Sequence, residues 1–192
     1  MAPGRCDYSV QRGGEISGGG HAWNAAKIDG AWHLLDATWD AGHREGDVFK
    51  AEYRTDYLFT PPALMGLSHL PEDPAWQLRA EPLSRGEFTR QPMLRPAFFA
   101  EGWSLIDPRR SQITVDSDVV LRIGNHGGRH MMALAVPLGG GRERRCQVRG
   151  EAEVQVRCDD LGAGTFNIEL LTSPLDHGTF TYVGELQVNV RG

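Results

Sequence analysis

Asp29-Gly30 stands between two strand-like runs, residues 21–28 and 31–39, both rich in Trp, Ile, Leu and Thr. An Asp-Gly pair suits a two-residue turn that needs positive φ, and between such runs it is the strongest short-range hairpin signal. Fixing the turn fixes the register. Ile28 then faces Ala31, and counting outward sets Lys27 against Trp32, Ala25 against Leu34, Trp23 against Asp36 and His21 against Thr38. Opposed residues share a face, so His21 and Asp36 become diagonal neighbours about 7–8 Å apart, a gap their side chains close to a hydrogen bond. The other face carries Ala22, Asn24, Ala26, Ile28, Ala31, His33, Leu35 and Ala37, and is expected to pack the core with His33 buried and satisfied. Trp23 and Trp32 share the face of His21 and are candidates for lining a substrate cleft, with burial in the core the competing role.

A carboxylate bonded to one imidazole nitrogen fixes the tautomer and leaves the other nitrogen to take a proton from a nucleophile. His21 and Asp36 therefore supply two parts of a three-part nucleophilic site, unless they merely satisfy each other beside Trp23.

At 192 residues the chain holds two small units, and 40% apolar with 23% charged residues is the mixture of a globular protein. Residues 1–20 are glycine-rich and read as loop, residues 53–60 read as a strand stopped by Pro61-Pro62, and residues 70–76 read as extended linker. Ser84-Arg85-Gly86-Glu87 has the spacing of a capping box and predicts a short helix. From about residue 103 onward seven short β runs recur: 113–115, 119–123, 131–136, 145–148, 152–157, 165–171 and 180–190. That spacing predicts an antiparallel β-sandwich. The expected class is mainly β (α+β), with one unit over residues 1–92 and the sandwich over 93–192.

A net charge of -5 without long blocks of one sign argues against nucleic acid or a membrane surface as partner. No apolar run approaches the length of a membrane helix, and the opening residues lack the apolar region of a signal peptide, so a cytoplasmic location is expected. Cys6, Cys146 and Cys158 are too few and scattered for a disulfide scaffold or a four-ligand zinc site. A tight turn at Gly150-Glu151 would put Cys146 opposite Gln155 and Cys158 opposite Glu143, which disfavours a disulfide. Asp40, His43, Glu45 and Asp47 share a loop but lack the spacing of a calcium site. No metal or cofactor is expected.

The strings Gly20-His21-Ala22-Trp23-Asn24 and Asp29-Gly30-Ala31-Trp32-His33-Leu34-Leu35-Asp36-Ala37-Thr38-Trp39 resemble the transglutaminase-like superfamily, kyphoscoliosis peptidase type. The resemblance runs on through Tyr57-Leu58-Phe59-Thr60-Pro61-Pro62, His69–Leu78 and Phe88–Phe99. It implies a partial papain-like or transglutaminase-like unit followed by an immunoglobulin-like sandwich. It also implies a Cys-His-Asp triad for acyl transfer or peptide hydrolysis on a protein or peptide, with His21 as general base and Asp36 as its orienting partner. Similar domains place the nucleophilic cysteine at the start of a helix well upstream, and this chain departs from that pattern. Only Cys6 precedes His21, and no helix fits between them to lower its thiol pKa. Three readings stand: a downstream fragment of a longer enzyme, a divergent scaffold without activity, or a chain completed by a cysteine-bearing partner. The competing class is a non-enzymatic protein-binding module, a pseudoenzyme acting through its sandwich.

Overall fold

The computed structural model describes residues 2–6 and 20–192. Strand exceeds helix, 48% to 13%, so the fold is mainly β. The chain divides between Thr89 and Arg90 into two compact units. Among the described residues no helix is long and apolar enough to cross a membrane.

The first unit begins with β1 (Ala2–Cys6), β2 (Gly20–Ile28) and β3 (Ala31–Leu35), followed by α1 (Ala37–Asp40) and the hairpin β4 (Gly42–Glu45) and β5 (Val48–Ala51). Next come β6 (Leu58–Thr60), α2 (Pro62–Met65), β7 (His69–Pro71), a 3-10 turn (Pro74–Gln77) and α3 (Arg85–Thr89). Five strands form one antiparallel sheet in the order β6-β3-β2-β1-β7. Asp29 and Gly30 both take positive φ, 50° and 85°, and the register runs from Ile28 against Ala31 to Asn24 against Leu35, as the turn dictates.

Beyond Leu35 the chain departs from the expected strand. Asp36 is the N-cap of α1, its Oδ1 accepting from the amides of Thr38 at 3.0 Å and Trp39 at 3.2 Å. An Asp side chain that satisfies two otherwise orphaned amides favours a helix start over continued strand. The expected pairs Trp23–Asp36 and His21–Thr38 are therefore absent, and His21 lies opposite Gly4 of β1 instead. The core also lies on the reverse of the expected face. Trp23 and Leu34 are buried at 1% and 2% exposure with Tyr57 and Met65, while Ile28 on the other face is 40% exposed and His33 half-buried. Large rings and Leu remove more apolar surface from water than a face of alanines, so they take the inside.

Residues 70–76 are likewise not an extended linker, since β7 joins the sheet edge and Asp73 caps the 3-10 turn through the Ala75 amide at 2.9 Å. At α3 the expected capping box forms: Glu87 donates its amide to Ser84 Oγ at 3.2 Å and accepts the Ser84 amide at 3.0 Å.

The second unit opens with β8 (Met93–Leu94), α4 (Pro96–Ala100), β9 (Trp103–Asp107), β10 (Ile113–Val115) and β11 (Val119–Asn125). It continues through β12 (His130–Pro137), β13 (Arg144–Arg145), β14 (Gln147–Arg149), β15 (Glu153–Cys158), β16 (Gly164–Ser173) and β17 (Thr181–Val190). One sheet runs β10-β17-β16-β12-β13 with β8 added against β17, and a second runs β14-β15-β11-β9. Alternate residues are buried in both: Leu121, Ile123, Val154 and Val156 in one, Ala133, Ile168, Leu170 and Val188 in the other. That alternation gives each sheet one core face, the pattern of a sandwich. Gly184, opposite Leu94, takes φ 156°, and a Cβ there would meet the Met93 carbonyl at 2.5 Å.

Cys146 and Cys158 form a disulfide, with Cα atoms 4.4 Å apart. This overturns the expectation of unpaired thiols for these two. The turn is longer than Gly150-Glu151 alone, because β14 ends at Arg149 and β15 starts at Glu153. Gln147 opposes Arg157 and Val148 opposes Val156, which brings the next pair outward, Cys146 and Cys158, face to face.

Candidate functional site

The strand end at Leu35 decides where the Asp36 carboxylate points. Its Oδ1 is held by the first amides of α1, which leaves Oδ2 to meet His21 Nε2 at 2.6 Å from β2. The same Oδ2 meets a second imidazole, His69 Nε2 at 3.0 Å, carried by β7. His69 Nδ1 in turn lies 2.8 Å from Ser68 Oγ. Thus the two histidines, on strands separated by β1 in the sheet, converge on one oxygen.

Burial grades across the cluster. The side chains of Asp36 and His69 are 1% and 0% exposed, whereas that of His21 is 21% exposed. The His21 ring lies near-parallel to Trp39 at 5.7 Å and to Trp23 at 6.4 Å, and Trp23 meets His69 edge-on at 5.0 Å. Aromatic walls of this kind keep the imidazoles from turning. Burial alone would raise the Asp36 carboxyl, but hydrogen bonds from His69, His21 and the Trp39 amide outweigh it and hold the group below the usual carboxylate value. Burial pushes His69 below the usual imidazole value despite its bond to Asp36, so the ring is held neutral.

With Nε2 of His21 turned to the carboxylate, Nδ1 is the ring nitrogen left to face a nucleophile. Cys6 ends β1 with its backbone opposite His69 in β7. Trp23 sits in the core rather than in the wall of an open cleft. Trp32 is 45% exposed, packed edge-on against Trp76 at 5.3 Å, with Lys27 Nζ 5.9 Å over its ring.

Spacing does not single out His69, because it is 33 residues from Asp36 and stands just before the stretch that reads as linker. Its one sequence trace is membership of the His69–Leu78 string within the resemblance. Asp40 also turns inward from the polar loop assigned to it: both its oxygens accept the Tyr57 amide, at 3.0 and 3.2 Å. Burial, with the Asp56 and Asp36 carboxylates nearby, pushes its carboxyl up to about 6. His43 stays exposed between Glu45 and Glu52.

The described site is thus a buried carboxylate bonded to one fully buried and one partly exposed imidazole, built on an antiparallel sheet. No family model matches the chain. It is 33% identical over 120 residues to the kyphoscoliosis peptidases of Mus musculus and of Homo sapiens, a match that takes in 60% of this chain and 18% of each relative. It is 32% identical over 110 residues to a LIM and transglutaminase domain protein of Caenorhabditis elegans, covering 51% of this chain and 15% of that protein. The chain is therefore related to the transglutaminase-like proteins. Within them its relationship is to the kyphoscoliosis-peptidase type, and it spans less than a fifth of the length of the two kyphoscoliosis peptidases it matches.

Proposed function

We propose that the chain carries the general base and its orienting carboxylate for a cysteine-dependent acyl transfer on a protein or peptide. In this reading His21 Nδ1 takes the thiol proton, and the thiolate attacks the carbonyl carbon of a glutamine carboxamide or peptide bond. The C–N bond breaks, the leaving amine or ammonia takes the proton from His21, and an amine or water then resolves the thioester. Asp36 stabilises the imidazolium formed between these steps. The single observation that supports the reading is the 2.6 Å bond between a buried Asp36 and a His21 that stays partly open. The names of the relatives, a peptidase and a transglutaminase domain protein, are consistent with acyl chemistry of this type. The nucleophile is either Cys6 or a cysteine outside these residues. The second unit we assign as an immunoglobulin-like sandwich that engages the protein partner.

The test is alkylation kinetics on the gene product as its own cells make it. Iodoacetamide labelling followed by peptide mapping is expected to find one hyperreactive cysteine whose rate falls at least about a hundredfold in His21→Ala, the scale of general-base assistance. If no cysteine depends on His21, the protein is a scaffold that keeps the pair for structure.

A further inference from the structure

His69 has no part in the reading above, yet the fold spends a buried polar side chain to point it at Asp36. We propose that His69 is a positioning residue that acts as a permanent neutral donor on Asp36 Oδ2, sharing that oxygen with His21 and so limiting how strongly the carboxylate grips the catalytic imidazole. The inference rests on the assignment of His21 as base.

The protonation pattern follows from the donors and acceptors. Asp36 already accepts two amides on Oδ1 and offers only lone pairs on Oδ2, so Nε2 of His69 must carry the hydrogen that spans the 3.0 Å gap. Nδ1 then accepts from the Ser68 hydroxyl at 2.8 Å. The Met65 carbonyl bonds to the same ring and favours its charged form, but it already accepts the Ser68 amide at 3.2 Å and burial outweighs its pull. A side chain with 0% exposure disfavours the charged form. The groups facing His69 are Asp36 from the start of α1, His21 from β2, Tyr57 ahead of β6 and Ser68 beside it, with Asp40 one helical turn beyond Asp36.

Two consequences separate this role from plain packing. A carboxylate oxygen that accepts two N–H bonds gives each a smaller share of its charge, so removing His69 shortens and strengthens the bond to His21. The second donor also pins Oδ2 in the direction of β2, which a cap on Oδ1 alone does not do.

The experiment is proton–nitrogen correlation of the histidine rings in the intact chain, with His69→Gln, which keeps an N–H near the place of Nε2, and His69→Leu, which removes it. In the unsubstituted protein His69 is expected as the neutral Nε2–H tautomer between pH 6 and pH 8. The Nε2–H resonance of His21 is expected to move downfield in His69→Leu and to stay near its original position in His69→Gln. In the gene product from its own cells, the pH–rate profile of His21-dependent alkylation should shift in His69→Leu and be restored by His69→Gln. An Nδ1–H tautomer or a charged ring at His69 overturns the proposal, and so does an unmoved His21 resonance in a folded His69→Leu. Should His69→Leu fail to fold, the tautomer in the unsubstituted protein decides. The ring spectra require no activity, so loss of the acyl-transfer reading would show in the alkylation kinetics while leaving the tautomer result intact.

Discussion

His21 and Asp36 meet at 2.6 Å although no strand pair sets them side by side, because β3 ends at Leu35 and Asp36 turns into the cap of a helix. One carboxylate therefore performs two jobs. Asp36→Ala removes the cap, worth about 1 kcal/mol, and strands two histidines beside an apolar cluster. The expected loss for the first unit is about 3–5 kcal/mol. Asp36→Asn retains an acceptor for the Thr38 and Trp39 amides and should lose less. Urea unfolding followed by tryptophan fluorescence reads this well, since Trp23, Trp32, Trp39 and Trp76 all belong to that unit. Equal losses in the two variants would show that the cap contributes nothing.

His69 contributes stability that is lost as pH drops below about 6.5. Its folded-state value lies below the ordinary 6.5, so the unfolded chain binds the proton first and gains from acid. Asp36 acts at lower pH: its carboxyl is held below the ordinary 3.8, so its contribution is present above that value and is lost as pH falls through the folded value. The difference in melting temperature between the unsubstituted protein and His69→Gln should change in the destabilising direction between pH 7 and pH 5, which isolates the His69 limb from the opposite trend of Asp40.

The hairpin could be read in the sequence because turn chemistry is local: Asp29-Gly30 sets the register with no help from the rest of the chain. The same holds for the Ser84–Glu87 capping box. Where strand gives way to helix is a competition between sheet pairing and amide capping, and the run Leu34–Trp39 alone does not show that Asp36 wins it. Which face is buried depends on what packs against it, and the partners Tyr57, Met65 and Trp76 come from distant parts of the chain. His69 is remote from Asp36 in sequence, and only the docking of β7 on β1 brings it to the site. A two-residue turn at Gly150-Glu151 is too short for the β14–β15 hairpin, and the register error it implies displaces every facing residue, the two cysteines included.

Trp23 and Trp32 share a face of the hairpin but differ in environment, which makes them a clean comparison. Trp23→Ala empties a fully buried site against His21, His69 and Leu34 and should cost about 3–5 kcal/mol. Trp32→Ala removes a ring that is 45% exposed and should cost about 1 kcal/mol or less. Urea midpoints check both, and a large loss at Trp32 would mean its contact with Trp76 holds the hairpin in place.

Asp40 works against stability at neutral pH. Its carboxyl sits at about 6 in the folded chain against 3.8 ordinarily, so the folded state keeps the proton longer and the Asp40 contribution to stability declines as pH rises from about 4 to about 6, opposite in sign to that of His69. Asp40→Asn, which can still accept the Tyr57 amide, should abolish that decline and raise stability at pH 7 by on the order of 2 kcal/mol. Melting curves of both proteins from pH 4 to pH 8 test it, and parallel curves would place the titration elsewhere.

The Cys146–Cys158 bridge ties the residue that joins β13 to β14 to the end of β15 and closes a short loop, at a sequence separation of 12. Denatured without reductant, the chain should yield one titratable thiol from its three cysteines, and three after reduction. A loop of this size removes enough freedom from the unfolded chain to stabilise the second unit by about 3 kcal/mol. Both residues are buried, Cys146 beside β12 where its backbone N–H donates to the Ala133 carbonyl at 2.9 Å and Cys158 against the core, so replacement by serine also leaves buried hydroxyls. Cys146→Ala with Cys158→Ala separates the two effects, since alanine removes the bridge without adding a polar group. Calorimetry should show the melting transition of the second unit moving down by about 10–20 °C in the double variant, while the tryptophan-monitored urea transition of the first unit stays where it was. A second-unit transition insensitive to reductant would mean that the chain folds with these cysteines apart.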